Sequence, residues 1–272
     1  SSDVCSSDLI FKTANYIRSK IRQKDFYRWQ KLQYGFPINP SSDAFTMWVT
    51  YENRRPQVNL FDATISFDVD DYDGSNFYLP LLYLYLDLFE TESYLPRHRV
   101  RQEDLILPRK VNNQILNRKK DFIVSFVNNP HPVRLNAIVE FQKMESVRLF
   151  GRFYNNYVDN KIELAKDYWF SLCFENDLYP GYVTEKVLEA YLGFTVPLYW
   201  GDDVLGILNP KAIINLKDFS SLRSFVQEVS EIYRDKNKLI SIISEPLLNK
   251  TLNLTELKNF LLARLIHKFG EI

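Results

Sequence analysis

The sequence predicts an α/β protein built as two doubly wound units, with parallel sheets covered by helices on both faces. Three observations carry that reading. Short apolar runs alternate with helically spaced segments through the second half of the chain, and strands that read as continuous apolar runs are those buried on both faces of a parallel sheet. The 272 residues are 46 % hydrophobic and 25 % charged, ordinary for a globular chain long enough for one large or two medium domains. Glycine is scarce, 8 in all, and four of them (Gly181, Gly193, Gly201, Gly206) fall in one stretch, which marks an unusual backbone requirement there.

The opening SSDVCSSDL (1–9) has neither a hydrophobic period nor capping logic. It resembles the translated end of a short-read sequencing adapter, the alternative being a Ser-rich native tail, and is set apart from fold reasoning. On the adapter reading Cys5 drops out, Cys173 stands alone, and the reading frame is cut on its 5′ side. Residues 10–33 form a basic amphipathic stretch that reads as helix, or as structure that has lost its partners. Turn signals at Gly35, Pro37, Asn39-Pro40 and Ser41-Ser42 precede Phe45–Thr50, a buried strand ending in the polar YENRRP. LFDATISFDV (60–69) predicts a second strand, followed by an Asp-rich turn through Gly74. LPLLYLYLDLF (79–89) is apolar but too short to span a bilayer, and predicts a core helix; residues 95–110 read as linker.

The second half is more regular. FIVSFV (122–127) predicts a strand, and VRLNAIVEFQKM (133–144) a helix with Pro132 suited to its first turn. A short strand at 147–150 and a helix at 160–167 lead into YWFSLCFE (168–175), a buried strand. NDLYPGYV then opens a helix over 184–193 that ends at Gly193. TVPLYW (195–200) and AIINL (212–216) read as strands, and Ser220-Ser221 can cap a helix over 222–234.

Composition excludes several function classes. Lys+Arg and Asp+Glu both number 34, and the balance holds locally, 14 against 13 over residues 10–117 and 20 against 19 over 118–272. No segment carries the basic footprint of a nucleic-acid binder. No apolar run approaches the roughly 18 residues of a membrane span. His98, His131 and His267 are scattered and the cysteines are only Cys5 and Cys173, so neither a His/Cys zinc site nor a disulfide scaffold fits. Asp68, Asp70, Asp71 and Asp73 contain a D-x-D pattern, but it lies far from the phosphate-binding segment described next and reads as a polar turn. Cys173, inside an apolar strand, reads as a packed thiol, and the tyrosine-rich 78–85 run as core.

Chemistry concentrates in strand 168–175, loop 176–183 and helix 184–193. In doubly wound sheets ligands bind beyond the carboxyl ends of strands, where the next helix starts. The loop holds Asn176, Tyr179, Pro180, Gly181 and Tyr182; Thr184 can cap the helix, with Glu185 and Lys186 in its first turn. A lysine there works against the helix dipole and needs a negative partner, either a bound phosphate or an ion pair with Glu185 or Glu189. Arg134 holds the corresponding place one unit earlier. The two cations either converge on one diphosphate or are unrelated surface charges.

FSLCFENDLYPGYVTEKVLEAYLGFTVPLYWG (170–201) resembles the donor-binding motif of the α1,3/α1,4-fucosyltransferase family, with FEN, Y-x-TEK, the following helix and VPLYWG in order. FIVSFVNNPHPVRLNAIVEF (122–141) is similar to that family's strand–loop–Arg–helix segment. VTYENRRPQVNLFDATISFD (49–68) is similar to its acceptor-side segment, in which TGEN supplies the catalytic Glu; here Tyr51 stands where that motif has Gly. The likeness runs over roughly residues 45–216. It implies a GT-B-like fold of two Rossmann-like domains, the N-terminal one incomplete: residues 10–115 a partial acceptor-side domain, 116–252 a GDP-fucose-binding domain, and 253–272 an amphipathic helix. It implies metal-independent, inverting transfer of L-fucose from GDP-β-L-fucose to an N-acetylglucosamine-containing glycan, usually at O3, with no cofactor required.

Carried over residue by residue, Glu52 is the general base, Arg134 and Lys186 neutralise the diphosphate, Glu185 binds ribose hydroxyls, and Asn176 and Tyr182 complete the donor pocket. A direct displacement needs a base on the acceptor side and positive charge on the leaving group, in separate places, as these residues provide. The alternatives are a donor-binding but inactive fragment and a GT-B enzyme using another sugar nucleotide. For LKNFLLARLIHKF (257–269), packing back across the two domains is favoured over peripheral membrane contact. Compact loops and a lone Cys173 lean to a bacterial cytoplasmic setting; a eukaryotic form implies a Golgi membrane anchor preceding residue 10.

Overall fold

A computed structural model describes residues 44–50, 53–88 and 99–270; Glu52 and the 10–33 stretch lie outside the described residues. Two all-parallel sheets organise the chain. The smaller consists of β1 (Met47–Val49), β2 (Ala63–Ser66) and β3 (Asn76–Tyr78), in that order. The larger contains β4 (Asp121–Phe126), β5 (Val147–Phe150), β6 (Tyr168–Phe174), β7 (Val196–Trp200) and β8 (Ile214–Asn215), in the order β5-β4-β6-β7-β8. Its central β6 is buried at every position, as its unbroken apolar run requires, whereas edge strand β5 exposes Arg148. The chain leaves β4 for one edge and returns at β6 to build toward the other. The strand order therefore reverses between β4 and β6, and the crevice at their carboxyl ends is the switch point where ligands bind in open α/β sheets.

Helices α1 (Gln102–Leu105), α2 (Asn113–Arg118), α3 (Pro132–Gln142), α4 (Lys161–Ala165), α5 (Glu185–Leu192), α6 (Leu222–Arg234), α7 (Lys236–Ser244) and α8 (Leu254–Phe269) complete the described chain. Their starts follow local signals. Pro132 occupies the first turn of α3, Thr184 caps α5, and Ser221 with Ser224 closes a capping box on α6. The two units share a core in which Ile65, Leu82 and Tyr83 pack with Val187 and Leu188 of α5 and with Tyr199 of β7. A second core, led by Phe122, Phe170 and Phe225, lies between the larger sheet and helices α3, α6 and α7.

Three sequence expectations need correction. The core helix over 79–89 is a single 3-10 turn, Leu81–Tyr85. Its backbone is used elsewhere: the Leu82 N–H donates to the Val183 carbonyl at 3.1 Å and that of Asp87 to Val100 at 2.9 Å. The Asp-rich turn leads directly into β3, a strand too short to leave a period. The described part of the 95–110 linker, 99–110, is anchored, with the Arg109 guanidinium 3.6 and 4.3 Å from the ring centroids of Tyr191 and Phe194. Helix α5 ends with Gly193 as its C-cap, as expected, and the left-handed residue is the next one, Phe194 (φ 54°). Gly193 is required by close approach, since a Cβ there would lie 2.7 Å from that of Ala165.

Helix α8 spends its apolar side on the protein, with Leu257, Phe260 and Leu261 against the shared core and Phe260 5.5 Å from Phe77. Asp62, before β2, anchors its far end: Lys268 Nζ lies 3.0 Å from the carboxylate, and Arg264 Nε donates to the Asp62 carbonyl at 2.6 Å. Burial works to raise the Asp62 pKa, but hydrogen bonds from the Thr46 N–H and hydroxyl and the charge of Lys268 outweigh it, so the carboxyl sits below its ordinary value. A depressed carboxylate contributes stability that is complete above its unfolded pKa and is lost as pH falls through the folded one. Protection factors for amide exchange across 254–269 are therefore expected to fall below about pH 4, and Asp62→Asn is expected to abolish that acid-dependent component.

Candidate active site

At the β4/β6 switch point lies a cavity of about 420 Å³ lined by Arg134, Asn176, Tyr182, Glu185 and Lys186. The fold thus brings together every sequence-predicted site residue except Glu52, which lies outside the described residues.

Arg134, in the first turn of α3, is 2 % exposed. Its guanidinium donates to the carbonyls of Asn129 and Phe174, to that of Glu175 at 3.1 Å, and to Asn176 Oδ1 at 3.2 Å. It therefore ties the loop after β4 to the end of β6. Burial lowers its pKa from the ordinary arginine value, with Glu175 opposing the shift.

Lys186 sits in the first turn of α5, its Nζ 2.9 Å from Glu175 Oε2 and 3.0 Å from Thr184 Oγ1. The carboxylate in direct contact with it is therefore Glu175, where the sequence offered a bound phosphate or an ion pair with Glu185 or Glu189. Glu189 instead lies 3.4 Å from Lys161 on the cavity wall. Glu175 is fully buried and also accepts from the Thr184 N–H at 2.9 Å and from its hydroxyl at 2.8 Å. Burial works against the Lys186 charge, but Glu175 and Glu185 outweigh it and hold the ammonium above its ordinary pKa. Burial raises the Glu175 carboxyl, with Lys186 drawing it back. The sequence did carry a signal for Glu175: an acidic residue ends an otherwise apolar strand, where only a partnered charge can be buried.

Tyr182 is buried with its ring edge-on to Phe67, centroids 4.9 Å apart. Glu185 is half-buried at the opening of α5. Cys173 is a packed thiol whose Sγ faces the carbonyls of Ser171 and Lys186, and burial pushes its pKa up. Asp68 of the D-x-D pattern accepts from the hydroxyls of Tyr72 (2.7 Å) and Tyr179 (3.0 Å). Among the described residues no three His, Cys, Asp or Glu side chains are grouped to hold a metal ion, and no helix is long and apolar enough to cross a membrane.

Chemically, two cations and the first amides of a capped helix border one crevice, an arrangement suited to an anionic ligand. Comparison with known proteins agrees. Residues 116–242 match the model of glycosyltransferase family 10 (fucosyltransferase), C-terminal part. The chain is 31 % identical over 229 residues to the α-(1,3)-fucosyltransferase FucT of Helicobacter pylori, covering 76 % of this chain and 48 % of that protein. It is 28 % identical over 114 residues to the mouse 4-galactosyl-N-acetylglucosaminide 3-α-L-fucosyltransferase 9, covering 40 % and 31 %. The chain thus spans about half the length, or less, of these relatives. Crystal structures of an α1,3-fucosyltransferase with GDP and with GDP-fucose superimpose with TM-scores of 0.66 and 0.65 at 26 % identity, over 84 % of this chain and 76 % of theirs. The GT-B-like α/β expectation is met. By sequence and by fold residues 116–242 are a domain of glycosyltransferase family 10 (fucosyltransferase), C-terminal part, and the chain around them is similar to α1,3-fucosyltransferases.

Proposed function

We propose that this chain transfers L-fucose from GDP-β-L-fucose, with inversion, to the O3 hydroxyl of an N-acetylglucosamine-containing glycan. The observation that carries the reading is the convergence of Arg134 and Lys186 on one cavity at the switch point, in a fold whose solved relatives were crystallised with GDP and GDP-fucose. In this reaction the Glu52 carboxylate takes the acceptor hydroxyl proton as that oxygen bonds to the fucose anomeric carbon. The bond from that carbon to the GDP oxygen breaks, and the charge left on the diphosphate is met by Arg134 and Lys186. Glu185 binds the ribose hydroxyls, and Asn176 and Tyr182 close the donor pocket. No metal or organic cofactor has a part in this scheme. Compact loops and, on the adapter reading of residues 1–9, a single cysteine favour a cytoplasmic setting.

Calorimetry with GDP-fucose, using GDP-mannose and UDP-galactose as controls, tests the donor assignment. Selective binding of GDP-fucose followed by turnover on N-acetyllactosamine is the expected result. Preference for either control sinks the fucose reading in favour of another sugar nucleotide. Selective binding without turnover establishes the second reading, a donor-binding but inactive fragment, which the partial coverage of the relatives favours.

A further inference from the structure

The donor loop 176–183 is held from outside its own sheet by a pin that the transfer scheme does not use. Asp68, just beyond β2, is 4 % exposed. A carboxylate so placed must recover its lost hydration from hydrogen bonds. Two of these are local, from Tyr72 OH at 2.7 Å and the Asp70 N–H at 3.3 Å. The third comes from Tyr179 OH at 3.0 Å, in the donor loop 111 residues away. The same tyrosine is gripped on its ring, with the Arg55 guanidinium 4.4 Å from the centroid and Phe67 edge-on at 5.3 Å. Two residues before Arg55, Asn53 Nδ2 donates to Asp177 Oδ2 at 2.9 Å. Asn53 and Arg55 lie one and three residues after the candidate base Glu52 in sequence, while Asn176 and Tyr182, which line the donor cavity, lie three residues to either side of Tyr179. A polar turn serving only its own backbone needs neither the long-range phenol nor a cation over its ring.

We propose that Asp68, Tyr179 and Arg55 are positioning residues for the transfer reaction, with Tyr179 as the pin through which the donor loop holds the acceptor-side segment 53–55. The assignment rests on the fucosyl-transfer reading given above. Asp68 clamps the pin by its hydroxyl and Arg55 reads its ring face, so a loop ordered by donor also orders the segment that meets the acceptor. Misplacement of a reacting group by about 1 Å can cost on the order of a hundredfold in rate, whereas the donor's own contacts lie elsewhere on the loop.

The test uses Tyr179→Phe, which removes the hydroxyl and keeps the ring; Tyr179→Leu, which removes both grips; and Arg55→Gln. Each is measured for donor Kd by calorimetry, for kcat on N-acetyllactosamine, and for amide exchange over 53–60 and 176–183 without ligand. The expected result is a kcat lower by roughly tenfold in Tyr179→Phe and Arg55→Gln and further in Tyr179→Leu. Donor Kd should stay within about twofold, with faster exchange in both segments together. Unchanged kcat, a parallel loss of kcat and donor affinity, or faster exchange confined to 176–183 overturns the proposal. Should Tyr179→Leu fail to fold, the two milder variants decide. A wild-type chain that binds no GDP-fucose removes the transfer reading itself, and the exchange of the two segments then decides whether the pin exists.

Discussion

Lys186→Ala is expected to act twice, on donor affinity and on the fold. On the proposed donor assignment, losing a charge-assisted contact to the diphosphate should weaken GDP-fucose binding by roughly 1.5–3 kcal/mol. The same change strands Glu175, whose carboxylate is fully buried and has Lys186 Nζ at 2.9 Å as its cationic partner. Removing one member of a buried pair typically destabilises by about 3–5 kcal/mol, because the remaining charge is left uncompensated. The effects separate in the double variant Glu175→Gln/Lys186→Met. Without a carboxylate to strand, most of the stability returns, while donor binding stays weak. Urea unfolding and calorimetry on the two variants read the components independently. If the double variant were as unstable as Lys186→Ala, Glu175 would matter through its bonds to Thr184 and not through the ion pair.

Gly181→Ala should cost about 2–4 kcal/mol, the sum of a left-handed backbone imposed on a residue with a side chain and a steric clash. Gly181 has φ +83°, and a Cβ built there would lie 2.5 Å from the Phe67 carbonyl oxygen, 2.8 Å from Tyr78 Cε2 and 3.0 Å from Val69 Cγ1. The nearest obstacle is backbone of the smaller unit, so no rotamer change relieves it. The donor loop must then back away from β2, which should also raise the donor Kd, because Tyr182 follows directly in the chain. Chemical denaturation with a parallel binding titration checks both. An alanine variant of wild-type stability would mean that the loop can move without loss, and would weaken the case for a pinned loop as well.

The elements around the site were largely legible in the sequence. Strand β6, helix α3 and helix α5 lie within two residues of their expected bounds because each is written in local signals: an unbroken apolar run for β6, Pro132 opening α3, Thr184 capping α5. The smaller unit was harder. Its β3 has only three residues, Asn76–Tyr78, and its backbone lies against Thr64–Ser66, a pairing that leaves no period in so short a run. Leu81–Tyr85 has the composition of a core helix, yet packs as one 3-10 turn because its backbone bonds to the donor loop instead of to a continuing helix.

By itself the sequence determined the alternation of strand and helix, the placing of Arg134 and Lys186 at the starts of helices after β4 and β6, and the family motif that contains them. All three follow from near-neighbour rules of apolar period, capping and turn chemistry. Only the tertiary structure decided which charges meet. Glu175 faces Lys186 because the turn between β6 and α5 folds residues eleven apart into contact at 2.9 Å. The Arg134 guanidinium finds two of its three carbonyl partners some forty positions along the chain. The physical reason is desolvation: a buried charge takes whichever partner the packing leaves within reach, and that is set by the fold and not by local spacing.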